Sequence, residues 1–258
     1  MACGRPMAGT ASTVDPLPQG SKMSPTASSP RPLRIITSGA QAAPIETLLP
    51  GYDGEVEVSY GSSLGEAHDS IPTRLAKGER FDLYFLAEAA HARYSRDGLV
   101  SQDFVPLVAS RIGAAVREGA PVPDISTSAR LKDALLAAGS VAHAASASGI
   151  YLSTEVFPAL GIADEMKDKA RTIFSERVGR VVARGDADLG FQQMSELLPI
   201  PGITIVGPLP PDFARVFVFG AAYGLDEGMR PAAEAFLEFL RREDAAPTFT
   251  ACGLDPIS

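Results

Sequence analysis

Short apolar runs alternate with helical stretches that end on glycine, and this rhythm narrows the possible folds more than any other feature of the chain. Leu33–Thr37 (LRIIT), Val56–Tyr60 and residues 82–86 (DLYFL) read as strands. Residues 44–49, 71–77 and 88–97 read as helices, the last two stopped by Gly78 and Gly98. Strands that are mostly apolar runs rather than alternating ones need cover on both faces, and helices between them supply it. The expected class is therefore α/β, with mainly parallel sheets flanked by helices.

A Pro-punctuated stretch interrupts the rhythm. Residues 105–110 and 112–116 read as two extended segments, and PVPD at 121–124 reads as a break. A second α/β run follows. It has helices at 129–138, 149–160 and 176–184, with Ser126 or Thr127 before the first and Ser175 as N-cap of the last. Its strands are expected at 140–145, 188–192, 203–206 and 216–219. A closing helix at 231–242 carries Ala232, Ala235, Phe236 and Phe239 at helical spacing, which marks a packing face. The pattern is two α/β units, with the last strand and helix able to return to the first.

Charge and composition exclude several functions. The 258 residues carry a net charge of −8. An acidic chain has no electrostatic footprint for nucleic acid or an anionic membrane, so any anionic ligand must be drawn in by a local site. The two cysteines, Cys3 and Cys252, and the three scattered histidines, His68, His91 and His143, offer no zinc spacing, and no cofactor is expected. No apolar run reaches membrane-spanning length, so no membrane insertion is expected. Residues 1–32 are dominated by Pro, Ser, Thr, Gly and Ala and read as a disordered extension. The chain as written opens without a basic and apolar secretory signal, which predicts a cytoplasmic protein. Cys3-Gly4 before a Ser/Thr/Pro-rich stretch also suits a periplasmic or lipid-tethered protein whose leader has been removed.

Catalytic motifs are sparse. G-S-S-L-G at 61–65 spells a nucleophile elbow but leads into polar residues, and no triad order supports it. Small residues instead gather where strands meet helices: Thr37-Ser38-Gly39, Gly61-Ser62-Ser63, Ser146-Ala147-Ser148-Gly149 and Ser175. Helix starts present unpaired N–H groups and a positive partial charge, and a serine adds a hydroxyl donor. Each junction alone is an ordinary cap or turn. Together, at the carboxyl ends of strands, they describe an anion site without lysine or arginine.

At these residues the chain resembles the type II periplasmic binding proteins, specifically the molybdate-binding (ModA-like) branch. The resemblance runs from Leu33 to the C-terminus. It is carried by T-S-G-A at 37–40, G-S-S at 61–63, I-P-T-R-L-A-K-G-E-R-F-D-L at 71–83 and S-A-S-G-I-Y at 146–151, then by V-V-A-R-G-D-A-D-L-G-F-Q-Q-M-S-E-L at 181–197 and G-P-L-P at 207–210. It implies a ligand cleft between lobe one, at 33–110 and 215–258, and lobe two, at 111–214. It also implies that Ser38 and Ser62 or Ser63 grip the ligand from lobe one, and Ser148 and Ser175 from lobe two. Molybdate binders place a tyrosine in the segment matching 190–196, where this chain has Gln193. An amide at that place suits a carboxylate or mixed polar ligand better than a metal oxyanion.

Ser38, Gly39, Ser62, Ser63, Ser146, Ser148, Gly149, Ser175 and Gln193 are thus the expected ligand-binding residues. Three functions compete: a binding protein for a small carboxylate or oxyanion, a cofactor-independent isomerase of a small polycarboxylate resembling aconitate isomerase, and a ligand-responsive regulatory module. The isomerase needs a base, for which His68, His143 and Glu196 are candidates. His68 also reads as a solvated loop residue, His143 as a core histidine and Glu196 as a surface or capping carboxylate. The expected partner is the small anion, and an ABC permease only if the protein is exported.

Overall fold

The computed structural model describes residues 31–257. All but the last two residues of the expected N-terminal extension lie outside them. The first sheet is built from β1 (Leu33–Thr37), β2 (Val56–Tyr60), β3 (Leu83–Ala87), β4 (Phe104–Arg117) and β9 (Val216–Tyr223), in the order β2-β1-β3-β9-β4. The second continues from β4 through β7 (Leu189–Gln193) and β5 (Val141–Ala144) to β6 (Ala170–Ile173), with β8 (Ile203–Pro208) also on β4. β1 pairs in parallel with β2 and β3, and β5 with β6 and β7. The pairs made by β4 and β9 are antiparallel.

The position of the site follows from β4. Its residues from Phe104 to Arg111 pair with β9, and from Ile112 onward it pairs with β7 and β8. One strand thereby belongs to both sheets. The two extended segments expected at 105–110 and 112–116 are this single strand, whose alternation is interrupted by bulges after Pro106 and Ala114. Between β8 and β9 the chain crosses back beside it.

Each sheet is covered on both faces, as the apolar strand runs require. Leu33, Ile35, Leu83 and Phe85 face a core closed by α10 (Arg230–Leu240), while Ile36, Tyr84 and Leu86 face one closed by α2 (Ile71–Ala76) and α3 (Glu88–Arg96). In the second sheet Val141, Leu189 and Phe191 pack under α4 (Ser128–Ala137) and the helical run 147–160, and Ala142 and Ala144 under α8 (Val178–Arg184). The returning strand β9 and helix α10 complete the first unit, so the chain's end joins its beginning.

Several elements were not expected from the sequence, two of them in one stretch. The helix Ala163–Lys169 and β6 fill the stretch after Gly161. β6 is ARTI, an exposed edge strand without an apolar run. Ser175 is not a helix cap: α8 begins at Val178 with Arg177 as N-cap, and Ser175 holds a left-handed turn at φ 53°. The first described residue, Arg31, is tied to the core by a two-pronged ion pair with Asp82 at 2.6 and 2.7 Å. No helix among the described residues is long and apolar enough to cross a membrane.

Candidate functional site

Two connected cavities lie between the sheets. The larger, about 550 Å³, is lined by Gly39, Glu46, Tyr60, Ser62 and Asp69 from the first unit. From the second it is lined by Ser146, Ser175, Glu176, Arg177, Arg180, Gln192 and Glu196. The smaller, about 30 Å³, is lined by Ser38, Gly39, Ser62, Ser63, Ser146, Ser148, Gln193 and Glu196. The two share Gly39, Ser62, Ser146 and Glu196, so the smaller is the inner end of the larger. It has room for a water or one small ligand group.

The inner pocket contains polar atoms that the protein leaves unused. Ser38 stands at the N-cap of α1 (Gly39–Leu48), yet its hydroxyl makes no cap bond. Its backbone N–H donates to the Phe85 carbonyl at 2.9 Å, so the hydroxyl is the group left for a ligand. That hydroxyl, and both polar atoms of the Gln193 amide, are buried without a hydrogen-bond partner among the described residues. An unpaired buried polar group costs about 1–3 kcal/mol, and proteins seldom carry several in one place without a use for them.

The other hydroxyls are partly engaged. Ser62 donates to the Leu64 carbonyl at 2.8 Å, and Ser63 accepts from the Ala87 N–H at 3.0 Å. Ser146 and Ser148 face each other at 3.4 Å. Gly39 makes room for the acid: a Cβ there would lie 2.1 Å from Glu196 Oε1. Gly149 lines neither cavity. It lets α5 (Ala147–Tyr151) sit against β5, where a Cβ would meet the Ala144 carbonyl at 1.7 Å.

Glu196 is the chemically distinctive residue. It lies on α9 (Met194–Leu197), directly after β7, and is only 9% exposed. Gln192 positions it: the Gln192 amide N–H donates to Glu196 Oε1 at 2.9 Å, while Gln192 Oε1 accepts from the Val178 N–H at 2.8 Å. Burial pushes the Glu196 pKa up to about 7. The charge of Arg177 and hydrogen bonds from the Gln192 side chain and the Gln193 backbone oppose the rise. A carboxyl that changes charge near neutrality can both accept and return a proton.

The two candidate histidines lie elsewhere. His143 is buried outside both cavities, edge-on to Phe157 with ring centroids 6.2 Å apart, and burial holds its pKa below the usual histidine value. His68 is exposed at the cleft mouth, with Nδ1 3.3 Å from the Ser175 hydroxyl. Ser175 also donates to Asp69 Oδ1 at 2.8 Å, so its left-handed turn sets a clasp between the two units.

Sequence reasoning missed Tyr60, Asp69, Gln192, Arg177 and Arg180. Burial, then a bond to Glu46, pushes the Tyr60 hydroxyl up to about 12, so it stays protonated. The spacing of Arg177 and Arg180 was a usable signal, because residues three apart share a helix face.

Comparison with known proteins gives the family and the fold. Residues 33–255 match the family described as bacterial extracellular solute-binding proteins. The chain is 38% identical over 230 residues to aconitate isomerase from a Pseudomonas species, covering 87% of this chain and 88% of that one. Among solved structures, the periplasmic molybdate-binding protein of Azotobacter vinelandii superposes with TM-score 0.69 at 19% identity, covering 88% of this chain and all of the other. The sulfate-binding protein SubI of Mycobacterium tuberculosis superposes with TM-score 0.65 at 17% identity, covering 88% and 87%. The two-lobed fold that the resemblance implied is thus shared with the ModA-like binding proteins.

Burying Glu196 has a pH-dependent cost to stability. Its pKa is raised from an ordinary 4.5 to about 7, so the unfolded chain releases this proton more readily than the folded one. The penalty is absent below pH 4.5, grows through the interval to 7 and is constant above it. Glu196→Gln removes it: urea unfolding at pH 8 will show the variant more stable than wild type by on the order of 3 kcal/mol, with the difference vanishing near pH 4. Equal stabilities at both pH values would place Glu196 in solvent.

Proposed function

The chain belongs to the bacterial extracellular solute-binding proteins, and from that premise we propose that its cleft binds a small polycarboxylate and isomerises it by moving a double bond. The observation that carries this reading is a buried carboxyl, Glu196, on the floor of a cavity lined by unpaired hydroxyl and amide groups. Pure binding of an anion has no use for such an acid, because a negative charge there repels the ligand.

The chemistry follows from the placement. One substrate carboxylate enters the inner pocket and takes the Ser38 hydroxyl and the Gln193 amide N–H. Ionised Glu196 removes a proton from the carbon next to the double bond. The electron pair of that C–H bond spreads through the double bond into a neighbouring carboxylate, whose developing charge the pocket donors stabilise. Glu196, now protonated, delivers the proton to the far carbon of the former double bond. One proton leaves and one returns, so Glu196 ends as it began and no cofactor enters the balance. A pKa near 7 serves both halves of the cycle. The 38% identity to aconitate isomerase supports aconitate itself as the first substrate to try.

Proton NMR of trans-aconitate incubated with the protein at pH 7 will show its conversion to the cis isomer. Glu196→Gln will slow the conversion by about 100-fold or more while still binding the substrate. Absence of conversion by wild type, or full activity in the variant, would refute the proposal for this substrate. Calorimetric titration of Ser38→Ala will show binding weaker by about 1–3 kcal/mol, as expected for a hydroxyl that meets a charged group. Unchanged affinity would remove Ser38 from the grip.

A further inference from the structure

We propose that Arg177 and Arg180 select for ligands with several carboxylates, holding in the larger cavity the groups that the inner pocket has no room for. This rests on the reading of the cleft as a polycarboxylate site, and not on turnover.

The argument begins with volume. The inner pocket, about 30 Å³, takes one small group, and its floor is formed by neutral hydroxyls and amides beside Glu196. The rest of any larger ligand must occupy the adjoining space of about 550 Å³. Around that space the fixed charges are unevenly engaged. Two of the acids have partners: Asp69 accepts from Ser175, and Glu176 accepts both prongs of Arg184. The side chains of Arg177 and Arg180 make no hydrogen bond or ion pair among the described residues, although both line the cavity. Two guanidinium groups without hydrogen-bond partners therefore face the cleft of a protein whose net charge is −8.

Guanidinium is suited to this task. Its planar fork matches a carboxylate in two-pronged fashion, and it stays charged at any working pH. The overall negative field repels a multiply charged anion, so a local cation pair is needed to bring it in. The pair stands on α8 and its N-cap, and the N-terminal amide of that helix, Val178 N–H, is fixed to Gln192. The same Gln192 side chain holds Glu196, so the arginines and the acid are joined through one residue. Arg177 also acts on Glu196 by charge and favours its ionised form.

The test uses tricarballylate, a saturated tricarboxylate with no double bond to move, so binding is measured apart from catalysis. Butyrate serves as the monocarboxylate. Calorimetric titration of the full chain will show Arg177→Gln and Arg180→Gln each weakening tricarballylate by about tenfold or more, with butyrate changed less than about twofold. Arg177→Lys and Arg180→Lys will recover part of the loss. In addition, Arg177→Gln will move the Glu196 titration to higher pH, an effect that a purely structural residue would not produce. Unchanged tricarballylate affinity overturns the proposal, as does equal loss for both ligands or failure of wild type to bind tricarballylate. A wild type that binds tricarballylate with this discrimination, yet leaves aconitate unchanged, upholds the arginine pair and refutes the isomerase.

Discussion

β4 is hydrogen-bonded to β9 through Arg111 and to β7 and β8 from Ile112 onward, and both sheets depend on this change of partners within one strand. The sheets cannot separate without breaking a continuous strand, yet among the described residues only that strand and the return between β8 and β9 cross from one to the other. The space between them is therefore bounded at one side by these crossings and bridged at its mouth by Ser175 to His68 and Asp69. The carboxyl ends of the parallel strands from both units look into it, which is where α/β sheets collect ligands. Ser38 arrives from the end of β1, Ser62 from β2, Ser146 from β5, and Gln193 from β7.

The cleft gathers several unfavourable features in one place. The inner pocket leaves the Ser38 hydroxyl and the whole Gln193 amide without partners; Gln41 Oε1 and the Ser110 and Ser195 hydroxyls are the other buried side-chain groups left so among the described residues. Beside them sits a carboxyl held from water, against a glycine that alone leaves space for it. Ser175 adds a non-glycine residue in a left-handed turn at the mouth. Local rules broken together in one place, with sound packing around them, are the mark of a site shaped by function. A ligand that pairs the orphaned groups and neutralises the arginines would relieve these costs on binding.

Much of the fold was legible because the physics that builds it is local. Apolar runs such as LRIIT and DLYFL announce strands buried on both faces, and glycines at 78, 98 and 161 mark where helices stop. The junction serines were legible for the same reason, since strand-to-helix turns favour small residues. What escaped notice depends on tertiary placement. ARTI at β6 has no apolar pattern, because an edge strand needs little burial. Ser175 looks like a helix cap and is a cross-cleft clasp instead, a difference made by one backbone angle. Glu196 reads as a surface acid until β7 and α9 dock it against Gly39. Arg177 and Arg180 look like ordinary helix-surface charges until the fold sets both along the cavity.

The central claim is that Glu196 is a buried acid which gains and loses its proton near neutral pH at the floor of the ligand cleft. Carbon-13 NMR of the side-chain carboxyl, assigned by its loss in Glu196→Gln and followed from pH 4 to 9, tests this directly. The account predicts a titration midpoint near 7 in the free protein, displaced when tricarballylate fills the cleft. A midpoint between about 4 and 5, the range of a solvated glutamate, would contradict it.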